Sequence, residues 1–599
     1  MYFRTKTIKN TKLVQLIESY RGIEGRPRQR VIASLGDAKI PENEKKPIAR
    51  AVEMRIKKET PLFDAKLSEN AARWVTRIVQ VAERSKASRP VTKSATLDGV
   101  LVDQVEAENV VGFGAELVAI EAWNKLGLTS VLKNVGMPKK QISAAQLMVS
   151  NRLIEPLSEW ALINWAERTA LPELLDLRIT KTTKDRLYRT SDKLLEHREM
   201  IESKLRNHEQ TLFSSRRKLI LYDVTNTHFE GLCGSNPKAK HGKNKQKRND
   251  CRQVAVGMAF DEQGNALAHE VFEGNMADTS TLSHILSRLD KLEVGEKPIV
   301  ILDAGFASEE NLSLLKERGY AYLINITRGS RTKYSAEFKA QDFAPIPDRP
   351  ADQQVEVKTI IDPEDPEQRL ILCRSQQRRN KEVAMISSAE ARFLNDATAL
   401  KERIRKGHLK KPHLIDQKIG GLQKKHPKTN RYYTVERRED GLHIERNDAK
   451  MEEALERCGS YVLKTDQTVD AVTLWELYMS LLKAEAGFRM LKSSLGLRPN
   501  HHQLEGRVDG HIFISVLAYH LLNWIRQQLE QSGDLREWNT IRRILRTHSL
   551  VSTRLPLEDG RIITIRKPSN PDAEQSRIYT ELGIDWRKAY TPVRSEVKM

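Results

Sequence analysis

The chain has 599 residues, 100 Lys plus Arg against 80 Asp plus Glu, a formal charge of +20 and a pI near 9.5. This length exceeds what one small core serves and predicts roughly three or four units, while the cation excess favours a polyanionic partner such as nucleic acid. Its four cysteines, Cys233, Cys251, Cys373 and Cys458, form no Cys-x-x-Cys pair, so neither a disulfide framework nor a zinc ribbon is indicated, and a reducing, cytoplasmic compartment fits.

The N-terminus is charged from Arg4 onward, unlike a secretory signal. Residues 1–60 predict a small basic domain with strand-like pieces at Leu13–Ile17 and Arg30–Leu35, suited to DNA contact or else a solvated basic head. Residues 61–213 predict a mainly helical region, a candidate for binding DNA ends. There Leu117, Ile120 and Trp123 share a face, Gly127 is a C-cap and Ser143 an N-cap. Leu187, Leu194, Ile201, Leu205 and Leu212 form a stripe better read as ordinary core than as a coiled-coil seam.

From 214 to 330 the period changes to that of strands. Lys218-Leu-Ile-Leu-Tyr222 stops at Asp223, and Gln253–Phe260 and Ala266–Phe272 form a hairpin about Asp261–Asn265. A helix over Thr281–Leu292 precedes the strand Pro298-Ile-Val-Ile-Leu302, which stops at Asp303. Ser308 caps a helix ending at Gly319, and Tyr320–Ile326 is a further strand. The order strand, strand, strand, helix, strand, helix, strand is that of an RNase H-like sheet. Residues 331–470 read as an inserted β-rich and basic subdomain, 471–530 as core helices, and 531–599 as a polar tail. The expected class is α/β, an RNase H-like mixed sheet core with a β-rich insertion, a helical N-terminal region and a small basic N-terminal domain. The most apolar stretch, Ile512–Ile525, includes His520 and Asn523, falls short of the ~20 residues of a membrane span, and reads as a buried helix.

Two branched-apolar runs that each stop at an aspartate predict interior strands whose carboxyl ends open onto a ligand crevice. On the helix Thr473–Lys492, the spacing of Leu474, Tyr478, Leu481, Glu485, Phe488 and Lys492 predicts one face, so Glu485 interrupts an apolar stripe. A carboxylate buried there requires compensation, which a metal shared with Asp223 and Asp303 supplies; the alternative is a glutamate at the stripe's edge that reaches water. Oxygen ligands suit Mg²⁺ or Mn²⁺, and two such ions ~4 Å apart serve in-line phosphoryl displacement. Lys238–Arg252, with Lys243, Lys245, Lys247 and Arg248, is dense enough in charge to attract backbone phosphates, or else is a solvated loop. A second basic stretch, near 389–411, reads more simply as a solvated face.

Over most of its length the chain resembles the DDE insertion-sequence transposases of the type four superfamily. The resemblance rests on Tyr222-Asp-Val-Thr-Asn-Thr-His-Phe-Glu230, on Phe272-Glu-Gly-Asn-Met-Ala-Asp278 with Thr281, and on Ile301-Leu-Asp-Ala-Gly-Phe-Ala-Ser-Glu-Glu-Asn311. It continues in Tyr478-x2-Leu481-x3-Glu485-x6-Lys492, Leu495–Asn500 and His511, and Gly25–Gly36 looks like the opening of one subgroup. It implies a catalytic and metal-binding triad Asp223, Asp303 and Glu485 holding two Mg²⁺ or Mn²⁺ ions. It also implies DNA contacts at Tyr478, Arg489 and Lys492, and a bacterial enzyme acting as a homodimer that synapses two element ends. Leu481 stands where the family's signature has arginine. An RNase H-like nuclease that cuts without joining, and a domesticated DNA-binding protein without activity, are the alternatives.

Overall fold

The computed structural model describes residues 1–8, 11–21, 27–57, 67–87, 96–179, 182–213, 219–243, 248–291, 297–327, 329–439 and 441–598. Gly25, Lys218, Lys245, Lys247 and Leu292 lie outside these. The chain divides into two compact units: Met1–Ala107 with Thr553–Ile565 and Arg594–Met599, and Glu108–Ser552 with Arg566–Val593.

The first unit begins with an antiparallel sheet of β1 (Tyr2–Ile8), β2 (Thr11–Arg21) and β3 (Pro27–Ser34). Alternation along β2 buries Val14 and Leu16, and a register shift against β3 at Leu16/Ile17 brings Ile17 inside as well. Helices α1 (Glu42–Lys57) and α2 (Glu69–Ala87) close its core with Ile48, Val52, Val75 and Ile78.

The second unit opens with helices, among them α3 (Gly114–Lys125), α4 (Lys139–Ile154), α5 (Lys184–Glu196) and α6 (Arg198–Phe213). Gly127, just past α3, is left-handed at φ 63, which a residue with a Cβ rarely adopts. Ser143 is no cap: α4 starts at Lys139 after Pro138, and the Ser143 hydroxyl donates to the Leu175 carbonyl at 3.4 Å. Leu187, Leu194, Ile201 and Leu205 are fully buried in the unit's main core.

A nine-stranded sheet follows. Its elements are β4 (Leu219–His228), β5 (Gln253–Phe260), β6 (Ala266–Glu273), α7 (Asp278–Leu289), β7 (Ile299–Leu302), α8 (Glu309–Glu317) and β8 (Ala321–Asn325). Next come β9 (Ala344–Pro345), β10 (Val355–Asp362), β11 (Asp365–Ser375), α9 (Gln376–Arg405), α10 (Pro412–Lys425), β12 (Tyr433–Arg438), β13 (Gly441–Arg446) and β14 (Ser460–Thr465). The sheet order is β9-β10-β11-β14-β8-β7-β4-β5-β6. β7 runs parallel to both β4 and β8, and the remaining pairings are antiparallel. The five strands β6-β5-β4-β7-β8 have the RNase H-like arrangement expected from the sequence. Four strands of the insertion extend that same sheet beyond β8, while α9, α10, β12 and β13 build a satellite core around Phe393, Ala397 and Val435.

The late helices are α11 (Ala471–Met479), α12 (Leu481–Ser493) and α13 (Glu505–Gln531). α13 is buried nearly all round, and several of its polar groups are matched. His520 meets Glu209 at 2.7 Å, the Tyr519 hydroxyl donates to the Gly264 carbonyl at 2.6 Å, and the Asn523 amide donates to Asn265 at 2.7 Å. Among the described residues no helix is long and apolar enough to cross a membrane. Residues 531–598 are folded rather than a tail: Trp538, Ile541, Leu545, Ile578 and Tyr579 enter the main core.

Candidate active site

The site begins with the pleat of three strands. Leu219 and Leu221 of β4, Ile301 of β7 and Leu323 of β8 face the main core, whereas Ile220, Tyr222, Val300, Leu302, Tyr322 and Ile324 face a second core under α7 and α8. Leu302 pairs with Tyr222 on one side and with Ile324 on the other. One residue further, Asp223, Asp303 and Asn325 fall in the next row, on neighbouring strands ~4.8 Å apart and on the main-core face. Each aspartate is anchored by the backbone that follows it. The Val224 N–H donates to Asp223 Oδ1 at 2.8 Å, and the Ala304 N–H to Asp303 Oδ1 at 2.7 Å, capping a short 3₁₀ turn over Ala304–Phe306.

The surrounding motifs brace this row. The Tyr222 hydroxyl donates to Thr281 Oγ1 at 2.9 Å, which itself donates to the Asp278 carbonyl at 2.6 Å, tying β4 to the start of α7. Gly305 runs so near Asp278 that a Cβ there would stand 3.4 Å from Oδ2. Beyond α12, Thr227 Oγ1 donates to the Leu497 carbonyl at 2.8 Å, the Asn500 N–H to the His228 carbonyl at 2.9 Å, and the Glu230 N–H to the Asn500 carbonyl at 3.0 Å. The segment Leu495–Asn500 thus fastens the far end of α12 to the strand that bears Asp223.

Tyr478 joins the row. Its phenol is pushed up first by burial and then by the negative charge of Asp303, with the Asn325 side chain as hydrogen-bond partner. The hydroxyl therefore stays protonated and can donate. Neither Asn325 nor Asp278 was recognised as a site neighbour in the sequence. The pairing register alone reveals Asn325, whereas Asp278 at least stood within a recognisable motif.

Glu485 departs from expectation. α11 ends at Met479 and α12 begins at Leu481, with Ser480 between them at φ -61, ψ -20; Leu474, Leu481 and Phe488 all enter the main core as the stripe predicts. α12 packs inward through Leu481, Ala484, Gly487, Phe488 and Leu491, and Glu485 is exposed with Lys483 and Arg489. The burial argument for a compensating cation at Glu485 therefore falls. Among the described residues no three His, Cys, Asp or Glu side chains are grouped closely enough to share one ion. Asp223, Asp303 and Tyr478 come together; Glu485 remains on the neighbouring helix.

Leu481 is 7% exposed and fills the main core. Lys492 is half-buried with its ammonium 5.6 Å above the Phe488 ring, while Arg489 and Lys243 are exposed. Arg248 is already engaged, with Nη2 3.0 Å from Asp250 and Nη1 3.8 Å from Glu230. Lys245 and Lys247 are not among the described residues.

Comparison with known proteins follows the same lines. The Transposase DDE domain family matches residues 214–521, and the IS1634 family transposase N-terminal domain matches residues 3–61. No curated protein matches the chain. Among solved structures, the cryo-EM structure of the piggyBac transposase synaptic complex with hairpin DNA aligns at 10% identity and TM-score 0.33, over 68% of this chain and 70% of that one. β4 does not stop at Asp223 as expected but continues to His228 in pairing with β5, so Asp223 lies within its strand, just past the end of the parallel pairing with β7, and only Asp303 follows a strand end. With more than half of its length in the matched domain, the chain belongs to the DDE-domain transposases of the insertion-sequence type, enzymes that cut and transfer DNA strands.

Proposed function

We propose that Asp223 and Asp303 are the central carboxylates of the transposase reaction and hold Mg²⁺, as a pair of ions, with Glu485 as the third donor. The observation that carries this reading is the row formed by Asp223 and Asp303 on adjacent parallel strands, on the face covered by α11 and α12. The donor set suits the group: hard divalent cations take carboxylate oxygens, and the bond to each Oδ1 from the following N–H fixes how its carboxylate is turned. The chemistry supplied there by bound metal is activation of a water or 3′-hydroxyl and neutralisation of charge on the phosphate.

The chain's own groups do the rest. Tyr478, kept protonated beside Asp303, donates a hydrogen bond to a phosphate oxygen at the cleaved bond. Lys492, Arg489 and Lys243 add positive charge along the backbone of the DNA, positioning without choosing a sequence. The exposure of Glu485 leaves it accessible to join the aspartates once DNA is bound. In this reading the enzyme nicks element ends, then directs the freed 3′-hydroxyl at target DNA. It acts as a homodimer that synapses two ends, in the cytoplasm of a bacterium.

The test is strand cleavage and joining on duplexes that carry the element's ends, with Mg²⁺. Asp223→Asn and Glu485→Gln should each abolish both steps while retaining the fold. Full activity in either would overturn the assignment of that residue. Cleavage in the parent chain without attachment of a labelled donor end to target would indicate a nuclease that does not join.

A further inference from the structure

We propose that the insertion carries a second DNA site, a groove that holds the sugar-phosphate backbone of duplex DNA beside the reaction centre. It rests on the family's action on DNA but assigns a surface which that action does not specify. The groove, about 790 Å³, lies between α9, the segment 329–332, the end of the short helix Pro427–Asn430 with the two residues after it, and the end of the helix Asp448–Glu456 with the two residues after it. Six cations line it: Arg331, Lys381, Arg392, Lys428, Arg431 and Arg457.

Among the described lining residues Glu382 is the single acid, and its charge is compensated internally. It is buried, accepts from the Gly459 N–H at 3.1 Å, and stands 3.2 Å from Arg378 and 3.7 Å from Arg331. Lys381, Arg392, Lys428 and Arg431 are exposed, and among the described residues none lies within ion-pair distance of an acid. On the outer faces of the same module the pattern is the opposite: Arg405 pairs with Glu402, Lys425 with Asp396, and Arg437 with Asp416. Arg457 is paired with Glu453 and Arg331 with Glu382, which leaves Lys381, Arg392, Lys428 and Arg431 as the charge of a concave surface that attracts a polyanion.

The dimensions suit a duplex. Lys381, Met385, Ser388 and Arg392 recur at helical spacing on one face of α9, so its two cations stand ~16 Å apart along the axis, the rise of about five base pairs. The groove also reaches the central sheet through Arg331. Arg331 donates to the Ser460 carbonyl at the start of β14, the strand that pairs with β8 at Asn325. Arg378, one turn before Lys381, acts electrostatically on the same Tyr478 phenol as Asp303 does. β14 stands two strands, ~10 Å, from β7, which leads to Asp303, and three from β4, which bears Asp223.

The test is fluorescence anisotropy of the full chain with a labelled duplex of arbitrary sequence, in EDTA, across a salt series. The quadruple variant K381Q/R392Q/K428Q/R431Q is compared with K401Q/K406Q/K410Q/K411Q, which removes the same charge from exposed lysines outside the groove. The groove variant should bind at least tenfold more weakly than the control, and its salt slope should fall by roughly 0.9 for each phosphate that is no longer neutralised. R392Q/K428Q should show about half the slope change, which keeps the test informative if the quadruple variant folds poorly. Equal affinity and slope in groove and control variants would overturn the proposal. So would stronger competition by a polyglutamate peptide than by unlabelled duplex, which would point to an acidic protein partner. Because EDTA binding needs no turnover, this outcome is independent of whether Asp223 and Asp303 are catalytic.

Discussion

Asp303→Asn separates what its carboxylate does for the fold from what it does for chemistry. In the structure Oδ1 accepts the Ala304 N–H at 2.7 Å and caps the turn over Ala304–Phe306. Asparagine retains that acceptor and caps as well as aspartate, so the variant should lose less than about 0.5 kcal/mol of stability, whereas Asp303→Ala should lose about 1 kcal/mol. The negative charge, in contrast, is lost in both. Charge stabilisation of several kcal/mol at a metal-assisted phosphoryl transfer, at about 1.4 kcal/mol per factor of ten, predicts a fall of ~10³ or more in single-turnover cleavage. Metal binding gives an independent readout. At about 100-fold excess over its Kd, Mn²⁺ should stabilise the parent by about 2.7 kcal/mol in urea unfolding, and neither variant should gain more than a fraction of this. An Asp303→Asn protein that cleaves like the parent, or is stabilised by Mn²⁺ to the same degree, would refute the reasoning.

Three further perturbations probe the supports of the site. At Gly487 a Cβ would lie 3.0 Å from the Tyr519 hydroxyl and 3.1 Å from the Phe260 ring, both already fixed by packing, so Gly487→Ala should cost about 1–2 kcal/mol although alanine favours a helix; a more stable variant in thermal unfolding would contradict this. His511 is held well below its usual 6.5 by burial, by the Arg152 guanidinium 2.9 Å away and by His502. Since the unfolded chain then binds the extra proton, stability is complete above about pH 6.5 and falls by up to about 1.4 kcal/mol per pH unit below it, a slope that His511→Gln should remove in denaturant titrations. Arg288 bridges Glu202 at 2.5 Å and Glu270 at 3.1 Å, linking α6, β6 and α7. Arg288→Met should therefore cost about 3 kcal/mol in urea unfolding, and a loss below about 1 kcal/mol would mean that His269 and Arg198 suffice for these two acids.

The sequence by itself determined the strands of the core. Branched apolar runs such as Leu219–Tyr222 and Ile299–Leu302 have no other stable position than a sheet interior, and β7 ends before Asp303 as expected, whereas β4 runs on past Asp223 to His228 because its pairing with β5 continues. The turn at Gly127 and the interior character of the helix around His520 and Asn523 were legible for similar local reasons. Pairing was not legible, because strand register is decided between segments far apart in the chain. Only the alignment of Tyr222, Leu302 and Ile324 puts Asp223, Asp303 and Asn325 in one row. The insertion likewise reads as a separate subdomain until β14 and β11 are seen to extend the central sheet. Periodicity placed Leu481 and Phe488 inward with Leu474, as the structure has them. Glu485 is different: the spacing left open whether it stands on the buried face or at its edge, and only the packing of α12 through Leu481, Ala484, Gly487, Phe488 and Leu491 turns it to solvent.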